Sequence, residues 1–308
     1  MATQTKQTKE KLEFLEKNFT EKDYNDYING DISYTSLCEK FECSDYLMAT
    51  FFKHKNLLKR RSVRKNNIKE DIFDNINSTE SAYIFGLYMA DGCVTAENKF
   101  AIALNEKDVK ILNKIKDFIS PISKVVYKEK YTNQKTGITT NPMYILCFKS
   151  DHISNTLNEY GCGYNKTYLE KSIINIIPKE FMWDFIRGYF DGDGCVSKSD
   201  VIHKHILKNG NNVEYNGINV IFKITSKTRL ILDELCTFLN DEGLNFSVYP
   251  DRTSFTLATH TKNNLPIIYN HLYSNNSEFY LERKKIKFKE IIDNTEINSE
   301  IAKGSESS

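Results

Sequence analysis

The chain has 308 residues, 40% of them hydrophobic, and its 42 Lys and Arg against 41 Asp and Glu leave a formal charge of +1. That length allows two or three domains with real cores, and the near-neutral total gives no global sign of a nucleic-acid partner. Seven cysteines, an odd number with no repeated short spacing, argue against a disulfide framework, and the polar start Met-Ala-Thr-Gln-Thr-Lys carries no secretory signal. The expectation is a soluble, intracellular protein in a reducing compartment.

Taken in order, Phe19 to Asp23 opens a helix in the manner of a capping box, with Thr20 as N-cap, Asp23 in the place of the usual Glu and Phe19 as a staple. Ser36 to Phe41 is a second helix, Glu42-Cys43 a tight turn, and Ser44 caps a third helix from Asp45 to His54. With apolar Leu37, Phe41, Leu47 and Phe51 the set fits a helix-turn-helix whose last helix enters the major groove, and it fits a small helical bundle equally well. Cys38, Cys43 and His54 lack a fourth ligand at finger spacing and read as core cysteines rather than a metal site. From Lys53 to Lys69 the chain carries Lys53, Lys55, Lys59, Arg60, Arg61, Arg64, Lys65 and Lys69 with no acid between them. Such an arm would follow phosphates by counterion release, although a plain solvated charge run is the alternative.

Two stretches then repeat. Ala-Tyr-Ile-Phe-Gly-Leu-Tyr-Met-Ala-Asp-Gly-Cys-Val at 82–94 and Asp-Phe-Ile-Arg-Gly-Tyr-Phe-Asp-Gly-Asp-Gly-Cys-Val at 184–196 share Ile84/Ile186, Gly86/Gly188, Asp91/Asp193, Gly92/Gly194, Cys93/Cys195 and Val94/Val196 at an offset of 102 residues (193 − 91). The chain therefore contains an internal duplication. Each copy is an apolar helix that ends at an Asp followed by glycine, which is expected to stop it in the left-handed conformation. Gly86 and Ala90, like Gly188 and Gly192, are four apart, so each helix has a face of minimal side chains on which two backbones can meet. Side by side, the helices bring Asp91 and Asp193 together. Two carboxylates so close call for a divalent cation. Neither run reaches the roughly 18 apolar residues of a membrane span.

Between and after the copies, Phe100–Leu104 reads as a strand, Val109, Leu112, Ile115 and Ile119 as a helical stripe closed by Pro121, Val125–Tyr127 and Met143–Phe148 as strands joined by the polar loop 128–142, and Asp151–Tyr160 as a helix ending at Gly161. The second half has a polar excursion at 197–217, a strand at Ile218–Ile224, a helix at Lys227–Asn240, a hairpin at Phe246–Thr259 and helices at Lys262–Leu272 and Glu278–Ile292. Each half is helix, two strands, helix, two strands, helix. The fold class is α/β (α+β): two pseudo-symmetric αββαββα repeats, at 67–174 and 175–294, whose sheets form a saddle for DNA, after a small N-terminal helical domain and basic linker at 1–66. The small polar residues of 295–308 are expected to form a disordered tail.

The two copies resemble the signature motifs of a single-chain LAGLIDADG homing endonuclease, with Ile84–Gly92 and Ile186–Gly194 on the nine motif positions and the likeness covering roughly residues 75 to 292. The first copy departs at Phe85, where a small residue is usual, and at Met89, where an acid is common; neither position carries the chemistry. The resemblance implies that Asp91 and Asp193, with Gly92 and Gly194 beside them, hold the metal, Mg2+ or another divalent ion such as Mn2+. It further implies a lysine from each half at the site: Lys166 resembles the first and Lys284 the second, with Lys285 as a substitute for Lys284. Cys93 and Cys195 read as small buried residues, since metal-assisted hydrolysis needs no thiol.

Sequence would be read by alternate strand residues around Lys99, Tyr127, Lys149, Lys223 and Arg252, with the outward face left open. The implied activity is a monomeric, metal-dependent, site-specific double-strand DNA endonuclease. The alternative is an intron-RNA maturase or a DNA-binding regulator on the same scaffold. An intein is not expected, since splicing needs a nucleophile first and an Asn last, where this chain has Met1 and Ser308.

Overall fold

The computed structural model describes residues 2–29, 31–57, 68–134, 136–166, 171–172, 174–206, 212–274 and 276–305, in two compact units divided after Asn66. The first holds α1 (Ala2–Asn18), α2 (Glu21–Asn29), α3 (Tyr34–Lys40) and α4 (Asp45–His54). Local chemistry starts three of these helices. The Thr20 N–H donates to Asp23 Oδ2 at 2.8 Å while the Asp23 N–H donates to Thr20 Oγ1 at 3.3 Å, closing the capping box before α2. Ser33 caps α3, which begins at Tyr34, two residues before the expected Ser36, and Ser44 Oγ accepts from Leu47 N–H ahead of α4. Between α3 and α4 the backbone passes through a left-handed Glu42, φ 45°, and the Cys43 N–H donates to Cys38 O at 2.9 Å. Phe19 packs on Phe41 and Phe51 at ring distances of 5.5 and 5.1 Å, and Leu37, Leu47, Met48 and Phe52 complete the core. Helix α1 is not read from the sequence because it has no continuous apolar stripe; Leu15 is its fully buried anchor.

The second unit is the duplicated one. Its first half runs α5 (Thr79–Asp91), β1 (Gly92–Val94), β2 (Lys99–Asn105), α6 (Val109–Ile119), β3 (Val125–Lys128), β4 (Tyr131–Thr132), β5 (Thr139–Thr140), β6 (Met143–Lys149) and α7 (Asp151–Glu159). The second runs α8 (Met182–Asp193), β7 (Gly194–Ile206), β8 (Asn212–Ser226), α9 (Arg229–Asp241), β9 (Ser247–Asp251), β10 (Ser254–Thr259) and α10 (Asn264–Tyr273), followed by α11 (Glu282–Ser305). Leaving aside the small β4–β5 hairpin, each half is αββαββα. The two main sheets are antiparallel and share one topology, β1-β2-β6-β3 and β7-β8-β10-β9.

Alternation along the strands separates their faces. Phe100, Ile102 and Leu104 of β2 lie opposite Phe148, Leu146 and Tyr144 of β6 on the face packed by α6, whose Ile111, Leu112, Ile115 and Ile119 are buried. Lys99 with Lys149 and Ala101 with Cys147 occupy the other face. In the second sheet Phe222, Ile224 and Leu257 are buried on the packed face, while on the other face Lys223, half-buried, pairs with half-buried Cys195 and with buried Ala258. The motif helices enter these cores alike: Tyr88 stacks on Phe100 with centroids 5.2 Å apart, and Phe190 on Phe222 at 4.7 Å.

Helices α5 and α8 meet backbone to backbone. A Cβ on Gly86 would stand 2.1 Å from Phe185 O, and one on Gly188 would stand 2.0 Å from Tyr83 O. One turn on, the Ala90 Cβ occupies the place beside Gly192, whose own Cβ would lie 2.2 Å from it. A small-residue face therefore exists on each helix, and the two faces are in contact.

Four expectations are corrected. Gly92 and Gly194 end their helices in extended backbone, φ −95° and −92°, rather than left-handed; glycine is needed there for room, since a Cβ would fall 2.3 Å from the Tyr88 ring and 2.1 Å from the Phe190 ring. The polar excursion at 197–217 is largely strand, the pairing of β7 with β8 running from Gly194–Ile224 out to Ile206–Asn212. A ribbon with little core beneath it has few buried positions to impose alternation. Part of the 128–142 loop is the β4–β5 hairpin. Finally, α11 continues to Ser305 through the expected tail, which holds no glycine or proline before Gly304 to stop it. Among the described residues no helix is long and apolar enough to cross a membrane.

Candidate active site

Asp91 is the last residue of α5 and Asp193 the last of α8. Because the helices touch at Gly86 and Gly188, their ends stay together, and Asp91 Oδ2 lies 3.0 Å from where a Gly192 side chain would begin. Both acids reach solvent, with enough protein around them for burial to bear on their charge. Burial and the neighbouring Asp193 carboxylate raise Asp91 to about 6, against the pull of Lys284 and Lys166. Burial likewise raises Asp193, with both lysines opposing it.

Each half adds one ammonium group at the end of its own motif helix. Lys166 Nζ donates to Met89 O at 2.6 Å. Lys284 Nζ donates to Phe190 O at 2.6 Å, Gly194 O at 2.8 Å and Gly192 O at 3.1 Å, so it sits where a helix C-terminus favours a cation. Burial lowers both lysines, Lys284 to about 8, while the nearby aspartates hold them up. Lys285 turns instead towards the Tyr280 ring, 4.3 Å away, and Lys284 is the one at the acids.

A cleft of about 120 Å³ runs from Asp193 past Lys166 to Ser226, Lys227 and Thr228. Lys227 Nζ donates to Thr253 O and Oγ1 at 3.0 and 2.7 Å, at the start of α9. The sequence reading passes over Lys227; its place between a strand end and a helix start was the available signal. A larger groove of about 430 Å³ lies between α6 and the start of α11, where Lys110–Glu282, Lys114–Glu278 and Arg283–Asp108 pairs join the halves.

Two acids at solvent with their charges unfavourably placed fit a hard divalent ion that keeps waters, the habit of Mg2+. Among the described residues no group of three or more His, Cys, Asp or Glu forms a metal cage. Gly194 O already accepts from Lys284, which leaves the Asp91 and Asp193 carboxylates, with Gly92 beside Asp91, as the groups that could meet a cation. A raised folded-state acid costs stability above its folded pKa and nothing below its unfolded value. Asp91→Asn is therefore expected to stabilise the protein in EDTA at pH 7.5 by about 1 kcal/mol after screening at a site open to water, seen as a higher melting temperature, and to have no such effect below pH 3.8, the unfolded value. Melts with and without Mg2+ at both pH values check this; a lower melting temperature at pH 7.5 in EDTA would contradict it.

The other anticipated residues spread more widely. Lys53 is exposed at the end of α4, and Lys55 Nζ lies 3.1 Å from Glu16 Oε1. Arg60, Arg61 and Arg64 lie outside the described residues. Lys99, Lys149 and Lys223 share the open faces of the two sheets, with Lys99 paired to Glu97 and Lys149 3.8 Å from Asp151. Arg252 holds the left-handed position, φ 54°, in the β9–β10 turn. Tyr127 is a correction: pairing with Tyr144 puts it at the edge of the helix-packed face. Cys93 is exposed and Cys195 half-buried, because each is the first strand residue on an open face. Cys38 is buried, Cys43 partly so, and His54 pairs with Glu16.

One buried network was not read from the sequence. Asp191 accepts from Leu281 N–H at 2.7 Å, Tyr83 OH at 2.9 Å and Tyr273 OH at 3.3 Å, and burial raises it to about 6. The fully buried Arg187 donates to Phe279 O at 2.8 Å and Leu272 O at 3.1 Å. In the first half Tyr88 OH donates to Cys162 O at 2.6 Å.

No family model matches the chain. Among solved structures it is similar to the LAGLIDADG meganuclease I-AabMI bound to uncleaved DNA, at 13% identity and a TM-score of 0.47 over 73% of this chain and 92% of that one. It is likewise similar to the homing endonuclease I-WcaI bound to its DNA recognition sequence, at 13% identity and a TM-score of 0.48 over 71% and 91%. The architecture agrees with the one that the resemblance to LAGLIDADG homing endonucleases implied. Its paired αββαββα repeats and meeting motif helices are the features that the sequence resemblance implied. Among curated proteins the chain is 26% identical over 231 residues to the DNA-directed RNA polymerase subunit Rpo1C of Methanocaldococcus jannaschii, covering 74% of this chain and 22% of that protein. It is 26% identical over 142 residues to a DNA polymerase of Acanthamoeba polyphaga mimivirus, covering 42% and 8%. The chain thus spans about a fifth or less of the length of these two relatives.

Proposed function

We propose that this LAGLIDADG-fold chain is a homing-type endonuclease that cuts both strands of a long DNA site with a divalent cation, Mg2+ or Mn2+, and acts as a monomer. The observation that carries the reading is the pair of acids at the touching ends of α5 and α8, each with a lysine of its own half beside it. When bound, the cation supplies Lewis-acid stabilisation and an activated water. Asp91 and Asp193 would hold it and orient it towards the phosphates. The Lys166 and Lys284 ammonium groups would offset charge that develops on each phosphate as it is attacked. Lys99, Lys149 and Lys223, on the open sheet faces, would meet the duplex, with Arg252 at a turn beyond.

The test uses a supercoiled plasmid carrying the sequences that flank this reading frame, joined without it. Mg2+ is expected to give a linear product and EDTA none. Binding of the intron RNA with stimulated splicing, and no cutting of the plasmid in either buffer, would instead establish the maturase reading.

The first unit, with Tyr46 and Lys53 exposed on α4, would add DNA contacts of its own. Deleting residues 1–66 is expected to weaken binding of the joined site about tenfold or more, with the cutting rate at saturating protein changed less than about threefold. Mobility-shift titration and single-turnover cleavage separate the two quantities. Undiminished affinity would remove the DNA-reading role from this unit.

A further inference from the structure

The two lysines at the acids are held by different devices. Counting along the duplication, Asp191 stands where the first half has Met89, and Phe190 stands where the first half has Tyr88. In the second half the Asp191 carboxylate receives the Leu281 N–H at 2.7 Å, and Leu281 O in turn receives Lys284 N–H at 3.0 Å in the first turn of α11. Tyr83 and Tyr273 hydroxyls fix that carboxylate from α5 and α10. In the first half no acid is available at the matching place, and the Tyr88 hydroxyl donates to Cys162 O at 2.6 Å, four residues ahead of Lys166. Phe190 has no hydroxyl to do the same. Each half thus pins the backbone three or four residues before its lysine, one through a buried carboxylate and the other through a buried phenol.

We propose that Asp191 and Tyr88 are positioning residues, each for the lysine of its own half, so that each governs the cutting of a different DNA strand. The inference rests on the nuclease reading for its strand assignment and on hydrogen-bond geometry for the rest. It makes the two cutting centres unequal by construction of the sequence. A buried hydrogen bond to a carboxylate outweighs a neutral one, so loss of the Asp191 charge should cost more than loss of the Tyr88 hydroxyl.

The test compares Asp191→Asn and Tyr88→Phe with the wild type on a linear duplex of the joined flanking sequence, each strand carrying its own 5′ dye. Asp191→Asn is expected to slow one strand about tenfold and Tyr88→Phe to slow the opposite strand about fivefold, each leaving the other strand within about twofold. Equal slowing of both strands, or slowing of the same strand by both variants, would overturn the proposal. A second readout needs neither metal nor DNA. Acylation of the metal-free proteins by acetic anhydride, read by peptide mass spectrometry, should rise several-fold at Lys284 but not Lys166 in Asp191→Asn, and the reverse in Tyr88→Phe. If the wild type cuts no duplex, the nuclease reading fails while the labelling still judges the positioning, and unchanged labelling at both lysines would refute it. If Asp191→Asn does not fold, Tyr88→Phe, which leaves the residue the other half already uses, decides the matter alone.

Discussion

The Asp91→Asn, Asp193→Asn double variant is expected to bind the joined duplex within about threefold of the wild type and to lose at least about a thousandfold in cutting of both strands, since hydrolysis depends on the cation the two acids would hold. The loss should exceed that of either lysine variant. An ammonium group steadies charge, whereas the carboxylates decide whether the cation is there. Mobility shift and plasmid linearisation measured on the same preparations separate binding from cutting; retained cutting would remove the acids from the chemistry.

Gly86→Ala and Gly188→Ala are each expected to destabilise the second unit by about 4 kcal/mol or more, or to prevent folding, because the new methyl would meet a backbone oxygen rather than a movable side chain. The contacts are 2.1 Å to Phe185 O and 2.0 Å to Tyr83 O, and no rotamer moves a Cβ. Gly192→Ala differs. Its methyl would meet the Ala90 Cβ at 2.2 Å and Asp91 Oδ2 at 3.0 Å, so it should disturb the acid as well as the packing. Combining it with Ala90→Gly should restore much of the stability. Urea unfolding of the series is the check, and tolerance of Gly86→Ala within about 1 kcal/mol would contradict backbone contact at this crossing.

The parts of this architecture that were legible in the sequence are those set by neighbours along the chain. Thr20 with Asp23, Ser44 before α4 and the four-residue spacing of Gly86 with Ala90 act within one or two turns, and the repeat at a fixed offset joined the halves without any long-range information. What was not legible depends on distant partners. Asp191 looks like one more polar residue in a motif until Tyr83, Tyr273 and Leu281 are seen to converge on it from elsewhere in the fold. Gly92 and Gly194 follow a helix end, which suggested a left-handed cap; the Tyr88 and Phe190 rings, folded back beside them, are the reason for glycine. Cys93 and Tyr127 were misplaced because strand alternation gives two faces without saying which is covered, and the packing of α6 decides it. Of the described β7 and β8 residues between Val196 and Val220 none is buried, so the ribbon leaves little periodic trace.

The central claim is that one helix crossing gathers two acids into a single cation site. Titration of Mn2+ into the metal-free protein, followed by loss of the free-ion electron paramagnetic resonance signal, measures it without DNA. Binding that weakens at least about tenfold in Asp91→Asn and in Asp193→Asn, and disappears in the double variant, is the expected result. Mn2+ affinity in the double variant equal to that of the wild type would contradict it.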